Sequence, residues 1–494
     1  MPGLLHLTNV RLLDLATGAV GEPTDLHVAG EVITRVPNPG ATTIDCRGGI
    51  VMPGLWDAHV HMSQWATCAR WVDVSTADSA LEVAAIIAEA ADRVDDEVLI
   101  GFGFRDSTWP HPASAQALDA VTGNRPCAII SGDVHSVWVN SAAIQHFGLG
   151  DCDGMLREEA AFDLQTRLQQ VDDAVLDQWI TQAANRAAEL GVVGIVDLTM
   201  DWNIGHWQRR FSQGFRTLCV RAATYPQFLD RLVEEGFRGG QVLDEDKLLA
   251  VGPLKVISDG ALSSGTAWCH EPYMSATRRA EEDEIAGAGA CNVPLDELVE
   301  LMARANQQGL QCAVHAIGDR ALTQALDAFE ETGALGSIEH AQLVRPDDIE
   351  RMAELGLRAS VQPAHLLDDR PILDELWADR AENAFPLRSL ADAGVEVVLG
   401  SDAPVAPLDP WLAIEAAVRR ASGDDEPWHP EQQLTLSQAL LASTRGVGAL
   451  VAGAEADLIV LDQNPFEVPV EQLHTMRPVL TVVGGHITCD KLGA

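Results

Sequence analysis

Apolar runs of strand length recur along the middle of the chain, and several of them end in a polar or ionisable residue. Stretches with helical periodicity lie between most of these runs, for example at 295–308, 320–331, 346–355 and 387–393. Eight successive strand-then-helix units favour an α/β fold, a closed (β/α)8 TIM barrel with its chemistry at the carboxyl ends of the strands. A doubly wound sheet remains the structural alternative. The predicted strands lie at 55–61, 193–198, 221–225, 254–259, 311–315, 337–340, 358–362 and 395–402.

The two ends of the chain have a different pattern, in which short strands alternate with turns. This pattern predicts a small β-sandwich built jointly from residues 1–54 and 448–494, beside a barrel that spans 55–447. Residues 64–190, between the first two barrel strands, are too many for a loop. They predict an inserted subdomain that could cover the barrel mouth, with strands at 98–104 and 127–131 and a helix near 172–188.

The net charge indicates which partners to expect, and the cysteine content indicates the cellular location. The chain has 33 basic and 73 acidic residues, and its net charge of −40 would repel phosphate backbones and anionic membranes. No apolar run reaches the ~18 residues that a membrane span needs. The nine cysteines are scattered, odd in number and without a C-x-x-C pair, so a reducing cytoplasm is the expected location. These features exclude nucleic acid and membrane as expected partners and favour a small-molecule substrate.

The first candidate for chemistry is the pair His59 and His61 at the end of the first barrel strand. Side chains two positions apart on a strand share a face, so both imidazoles can reach one metal ion. An H-x-H pattern alone is common by chance. Its position after Pro53-Gly54 and a short apolar run makes the metal interpretation stronger.

Three later strand ends also carry ionisable groups: His315, His340 and Asp402. A single histidine in such a run is more often a buried structural residue. Together with the first pair, however, these groups would converge over the mouth of one barrel. Imidazole and carboxylate donors suit zinc and similar divalent metals, so the sequence predicts a metal centre there.

Lys255 completes the candidate set. Only three lysines occur in the chain, and Lys255 is the one that lies inside an apolar run. Burial lowers the pKa of a lysine, and the resulting neutral amine can take up carbon dioxide to form a carbamate that binds metal. The alternative is an ion pair between Lys255 and nearby Asp259.

In this order and at these strand ends, the six residues resemble the metal-ligand pattern of the amidohydrolase superfamily. The phrases 132–140, 258–264 and 400–405 resemble its YtcJ-like branch, which includes N-substituted formamide deformylases. The similarity runs over nearly the whole chain. It implies a barrel with a flanking β-sandwich, and one or two divalent metal ions, with zinc expected. It further implies that one metal would be bound by His59, His61 and Asp402, a second by His315 and His340, and both by N-carboxylated Lys255.

The expected activity is hydrolysis of a carbon–nitrogen bond in a non-peptide amide, formamide or cyclic amide. Asp402 would move the proton of the attacking water, while His315 or His340 would help to polarise the carbonyl oxygen. Deamination, ester hydrolysis or decarboxylation at the same centre, or a catalytically silent regulatory protein, are the alternatives. A homodimer is common among such relatives. Predicted substrate contacts come from the insertion and from strand four: His135, Trp138, Asn140 and Asp259.

Overall fold

The chain forms 21 strands and 15 α-helices in the residues that the structure, a computed structural model, describes: 3–91, 93, 97–106, 109, 111–150, 152–168, 170–274 and 287–492. The strands are β1 (Leu4–Leu12), β2 (Thr24–Ala29), β3 (Val32–Thr34), β4 (Thr42–Asp45), β5 (Ile50–Pro53), β6 (Leu55–Val60), β7 (Val72–Asp73), β8 (Leu99–Phe104), β9 (Cys127–Ser131), β10 (Ser136–Val139), β11 (Met155–Arg157), β12 (Val192–Asp197), β13 (Cys219–Thr224), β14 (Leu249–Ile257), β15 (Cys312–Ala316), β16 (Gly336–His340), β17 (Arg358–Val361), β18 (Glu396–Leu399), β19 (Leu458–Leu461), β20 (Pro478–Val483) and β21 (His486–Asp490).

The helices follow the barrel strands or lie in the insertion. They are α1 (Met62–Cys68), α2 (Ala80–Ala91), α3 (Ala115–Thr122), α4 (Ser141–Phe147), α5 (Glu158–Leu168), α6 (Asp173–Glu189), α7 (Asn203–Ser212), α8 (Leu229–Glu234), α9 (Leu295–Gln307), α10 (Asp319–Thr332), α11 (Pro346–Glu354), α12 (His365–Leu376), α13 (Leu387–Asp392), α14 (Pro410–Arg419) and α15 (Leu436–Ser443). None of these helices is both long enough and apolar enough to span a lipid bilayer.

Eight parallel strands form the predicted barrel, in the order β6, β12, β13, β14, β15, β16, β17 and β18. A parallel bridge between Val60 and Ala403 joins the two outer strands and closes it. At this seam the Asp402 amide donates to the His59 carbonyl over 2.7 Å. The barrel class is therefore confirmed, and the doubly wound alternative is wrong because an open sheet would leave β6 and β18 unpaired on one side.

Most predicted strand boundaries agree with the structure to within two residues, and two differ by more. β14 begins at Leu249 and not at 254, since the strand continues through Gly252 and Pro253 with a shifted register against β13. β18 ends at Leu399 and not at 402, because Asp402 has a left-handed backbone with a φ of 57°.

Strands from both chain ends form a second connected set, in the order β21, β20, β19, β5, β1, β2 and β3, with β4 on β1. The register of β1 shifts at Asn9, where the backbone is left-handed: the residues before it pair with β2 and β4, Val10 still pairs with β2, and Arg11 and Leu12 pair with β5. Side chains from both halves pack into one apolar core that includes Leu7, Val51, Leu458 and Val482. This is the flanking sandwich that the terminal patterns predict.

Residues 63–180, together with 404–406, form a separate compact unit around a five-stranded sheet of β7 to β11. Strand β9 is buried on both faces: Cys127 and Ile129 pack into one apolar cluster, while Ala128 and Ile130 pack into another. Buried strands of this kind show no alternation of polar and apolar residues. The barrel and the terminal strands belong to the other compact unit.

Candidate metal centre

All six candidate ligands lie at one end of the barrel strands. His59 is the penultimate residue of β6 and His61 follows that strand, while Asp402 follows β18. His315, His340 and Lys255 lie in the last three residues of β15, β16 and β14, respectively. Because the strands are parallel, their carboxyl ends meet at the same mouth.

His59 makes close contacts with three other side chains at the barrel mouth. Its Nε2 lies 3.3 Å from Asp402 Oδ1 and 3.5 Å from Lys255 Nζ. Its Nδ1 lies 2.7 Å from Glu339 Oε2. The side chains of His59 and Glu339 are 1% and 3% exposed, so solvent barely reaches this contact.

The other imidazoles join the same cluster. His61 Nε2 lies 3.2 Å from Asp402 Oδ1. The ring centroid of His340 lies 5.0 Å from that of His59 and 4.4 Å from that of His315. The structure therefore brings all six sequence-predicted ligands into one chain of neighbouring side chains.

The donor set fits a divalent cation. His59, His340 and Asp402 each offer one ligand atom, and these atoms lie within 4.8 Å of one another. Within the described ranges, His61 Nδ1 and His340 Nδ1 are buried and have no hydrogen-bond partner. Buried ring nitrogens without a partner are costly unless a ligand satisfies them, and nitrogen with carboxylate oxygen is a donor set that zinc prefers.

The backbone places these side chains by leaving the strand conformation. His340 and Ala341 have φ values of 73° and 42°, and Asp402 has one of 57°. Consecutive left-handed non-glycine residues are strained and often occur at functional sites. Asp57 secures the same seam, because its Oδ1 accepts hydrogen bonds from the backbone amides of His59 and Ser401.

Burial keeps the imidazoles neutral. Burial, assisted by the charge of Lys255, lowers the pKa of His315 to about 3. Burial also lowers the pKa of His59 and brings that of His340 well below its ordinary value. Each of these histidines therefore has a ring lone pair at neutral pH, which metal coordination requires.

The pKa values of Lys255 and Asp402 are both lowered, but for different physical reasons. Burial lowers the pKa of Lys255, although the carboxylates of Glu339 and Asp402 partly oppose that effect. Burial alone would raise the pKa of Asp402, but the surrounding imidazoles outweigh it and hold the pKa well below its ordinary value. The Lys255 amine and the ionised Asp402 carboxylate thus both lie next to Nε2 of His59.

Asp259 lies next to His315 in the loop that follows β14, and its side chain is fully buried. Its carboxylate accepts hydrogen bonds from the backbone amides of Trp268, Ile317 and Gly318, and lies 3.3 Å from His315 Nε2. His315 Nε2 also donates to the carbonyl of Gly260 over 3.3 Å, which leaves Nδ1 with the ring lone pair. This arrangement favours a role for Asp259 in holding His315 and the adjoining loops, in place of the predicted substrate contact. Among the described residues, the contacts of Asp259 do not include an ion pair with Lys255.

The three substrate candidates from the insertion lie in the unit of 63–180. Trp138 is fully buried in an apolar cluster, where its Nε1 donates to the Ser114 carbonyl. The Asn140 amide is also buried and caps α4, and it bonds Cys127, Thr122 and Arg125. Among the described residues the polar side-chain atoms of Trp138 and Asn140 thus have protein partners, which favours structural roles for both. His135 is half-buried, and its ring packs edge-on against Phe162.

Sequence reasoning missed two residues at the mouth. Glu339 precedes His340, and alternation along a strand predicts that such neighbours point to opposite sides. The positive φ at His340 breaks that alternation. His365, at the start of α12, has its ring 6.2 Å from that of His340, and its Nε2 is buried without a partner in the part of the chain that the structure describes. No sequence signal separates His365 from a surface histidine.

Comparison with known proteins agrees with this geometry. The chain is 26% identical to the Bacillus subtilis protein YtcJ, which is named as an amidohydrolase, over 92% of each chain. It is 25% identical to the N-substituted formamide deformylase of Arthrobacter pascens, over 92% of this chain and 91% of the relative.

A solved structure has the same fold. It is that of an uncharacterized metal-dependent hydrolase from Pyrococcus furiosus, which is 26% identical, with a TM-score of 0.75 over 94% of this chain and all of the other. A family model described as the amidohydrolase family matches residues 42–489. Since that match covers most of the 494 residues, and the resemblance in the motifs agrees with it, the chain belongs to the amidohydrolase family.

Proposed function

We propose that this protein hydrolyses a carbon–nitrogen bond in a small non-peptide amide, formamide or cyclic amide. The observation that carries the proposal is the meeting of ligand atoms from His59, His340 and Asp402 within 4.8 Å at the barrel mouth. The relative named as an N-substituted formamide deformylase supports the choice of bond. The six donors come from five strand ends, and four are buried while His61 and His315 are partly buried, which supports a catalytic centre more than a surface ion site.

His59, His61 and Asp402 would hold one divalent metal, with zinc expected from the donor types. His315 and His340 would hold a second, which the resemblance implies. Lys255 would bridge them after its neutral amine adds to carbon dioxide, which forms a carbamate and releases one proton. The lowered pKa of Lys255 supports this reaction because only the unprotonated amine is nucleophilic.

A bound divalent cation would lower the pKa of a water molecule and would place a positive charge next to the substrate carbonyl. Asp402 is ionised, so its carboxylate can accept the proton of the attacking water and then deliver it to the leaving nitrogen. His315 and His340 are neutral, so their ring lone pairs would hold a cation that can polarise the carbonyl oxygen. Asp259 keeps His315 in place, through the 3.3 Å approach to its Nε2.

The proposed partner is a small-molecule substrate, and the proposed location is the cytoplasm. The described strand ends at the mouth carry imidazoles and carboxylates, which would suit a small neutral amide bound next to a divalent cation. All nine cysteines are free thiols, which agrees with the proposed cytoplasmic location. A homodimer is part of the proposal through the resemblance alone.

The test combines metal analysis with one substitution. We expect purified protein to contain zinc, to lose activity towards N-substituted formamides or N-acyl compounds on chelation, and to regain it on addition of zinc. Asp402→Asn should lower kcat at least 100-fold with little change in far-ultraviolet circular dichroism, because the amide cannot accept the proton.

Asp348→Asn is the matched control, since Asp348 is equally buried but bonds Thr323 on α10, away from the mouth. It should retain activity. Full activity of Asp402→Asn would remove the proposed proton transfer. Release of ammonia from an amidine-type substrate, of an acid from an ester or of carbon dioxide, with amides untouched, would assign one of the alternative reactions instead.

A further inference from the structure

We propose that Glu339 is a positioning residue that fixes the tautomer and ring plane of His59, so that Nε2 of His59 faces the centre with a free lone pair. The inference rests on the proposed function only for the identity of the bound group, because the orientation of His59 belongs to the metal-free chain. Neither the family resemblance nor the ligand pattern assigns a role to this glutamate.

The geometry leaves His59 little choice. Nδ1 of His59 lies 2.7 Å from Glu339 Oε2, a short and charge-assisted distance. The second oxygen of Glu339 accepts a hydrogen bond from the Ser337 hydroxyl on the same strand. The carboxylate is therefore held at both oxygens and cannot rotate away from the ring.

The protonation of the pair follows from its chemistry. The Ser337 hydroxyl donates to Oε1 of Glu339, and Oε2 faces Nδ1 of His59 over 2.7 Å, so both carboxylate oxygens act as acceptors. An ionised carboxylate only accepts hydrogen bonds, so Nδ1 of His59 must carry the proton. The lone pair is then on Nε2, the nitrogen that faces Asp402 at 3.3 Å.

The other neighbour of Nδ1 cannot replace Glu339. Nε2 of Gln362 lies 3.4 Å from Nδ1, but an amide nitrogen is a donor and donates instead to the Ser360 carbonyl. Glu339 is therefore the acceptor that sets the tautomer. The positive φ of His340 allows this glutamate and the adjacent histidine to serve the same site.

The test compares two variants of Glu339 in the full chain. Glu339→Gln keeps the shape and an acceptor oxygen but loses the charge, whereas Glu339→Leu removes the acceptor. We expect ¹⁵N-histidine spectra of the metal-free protein at pH 7.5 to show His59 protonated on Nδ1 in wild type and as a mixture of tautomers in the leucine variant. Zn²⁺ affinity, measured by competition with a chromophoric chelator, should fall about 10- to 100-fold in the leucine variant and less in the glutamine variant.

Glu415 offers a matched control, because it is a buried glutamate whose Oε2 lies 2.7 Å from Nδ1 of His474, outside the barrel mouth. Glu415→Gln and Glu415→Leu should leave both the His59 signal and the Zn²⁺ affinity unchanged. An unchanged His59 tautomer in Glu339→Leu would overturn the proposal. If wild type binds no Zn²⁺ at all, the metal centre fails while the tautomer comparison still decides the role of Glu339.

Discussion

The imidazole of His315 lies between the strand end of β15 and the carbonyl of Gly260, where water reaches little of it. Desolvation disfavours its cationic form, and the nearby Lys255 adds to this effect. The same factors act on His59 and His340. Free histidine is partly protonated just below neutral pH, whereas burial in this fold keeps several neighbouring imidazoles unprotonated.

This protonation leads to a pH prediction. In metal-free protein labelled with ¹⁵N-histidine, the His315 signal should remain that of neutral imidazole at pH 5.5, since its pKa lies at about 3. In urea the same residue should be mostly protonated at pH 5.5, because its ordinary pKa is 6.5. The unfolded chain then binds a proton that the folded chain does not, so this group lowers the free energy of unfolding as the pH falls from 6.5 towards 3.

His315→Gln would identify the signal by its disappearance. A folded-state titration near pH 6.5 would contradict the prediction, since it would mean that solvent stabilises the cation.

At the scale of elements, the closure of the barrel at β6 and β18 decides where the ligands lie. The backbone amide of Asp402 donates to the His59 carbonyl, and that of His61 donates to the Ala403 carbonyl. These bonds place residues from the two ends of the barrel sequence against each other. Gly400 makes this approach possible, because a Cβ there would lie 2.8 Å from both the amide nitrogen and the Cβ of His59.

Gly400→Ala should therefore force the seam apart. We expect a loss of about 1–3 kcal/mol in stability from overpacking, together with a clear fall in bound zinc, because the displaced backbone carries His59. Thermal unfolding and metal analysis of the purified variant measure the two effects.

Gly40→Ala serves as the control, since its Cβ would meet only Asn38 Oδ1 at 3.6 Å. It should melt like wild type. Normal zinc content and melting in Gly400→Ala would show that the seam can absorb a methyl group.

For the whole molecule, the charge balance is the dominant electrostatic feature. A net charge of −40 on 494 residues means that the folded chain repels itself, and the many surface ion pairs of arginine relieve this only locally. Screening by salt weakens long-range repulsion more than it weakens close contacts.

We therefore expect the melting temperature to rise between about 20 mM and 300 mM salt, and to level off once the Debye length falls below about 6 Å. Sodium chloride and potassium chloride should give the same curve, which separates screening from specific ion effects. A melting temperature that falls with salt would mean that the surface ion pairs outweigh the repulsion.

Much of this protein could be predicted from its sequence. Strand-length apolar runs with helices between them predict a parallel sheet that is covered on both faces, and eight successive units favour its closure into a barrel. The two imidazoles of 59 and 61 had to share a face, since their spacing matches the period of a strand. The sequence also indicated that strand ends carry His315, His340 and Asp402, and hence that they would point towards one mouth.

Only the tertiary structure decided which neighbours these residues have. Glu339 reaches His59 across 280 positions of sequence, because His340 leaves the strand conformation and β16 comes to lie near β6 across the barrel. The sequence predicts Trp138 and Asn140 as substrate contacts, but among the described residues both side chains are buried and bond their own unit, at Ser114 and Thr122 respectively. The two-residue period of a strand predicts which face of that strand a side chain occupies. Long-range contacts depend on backbone turns and on the closure of the barrel, and no local pattern encodes them.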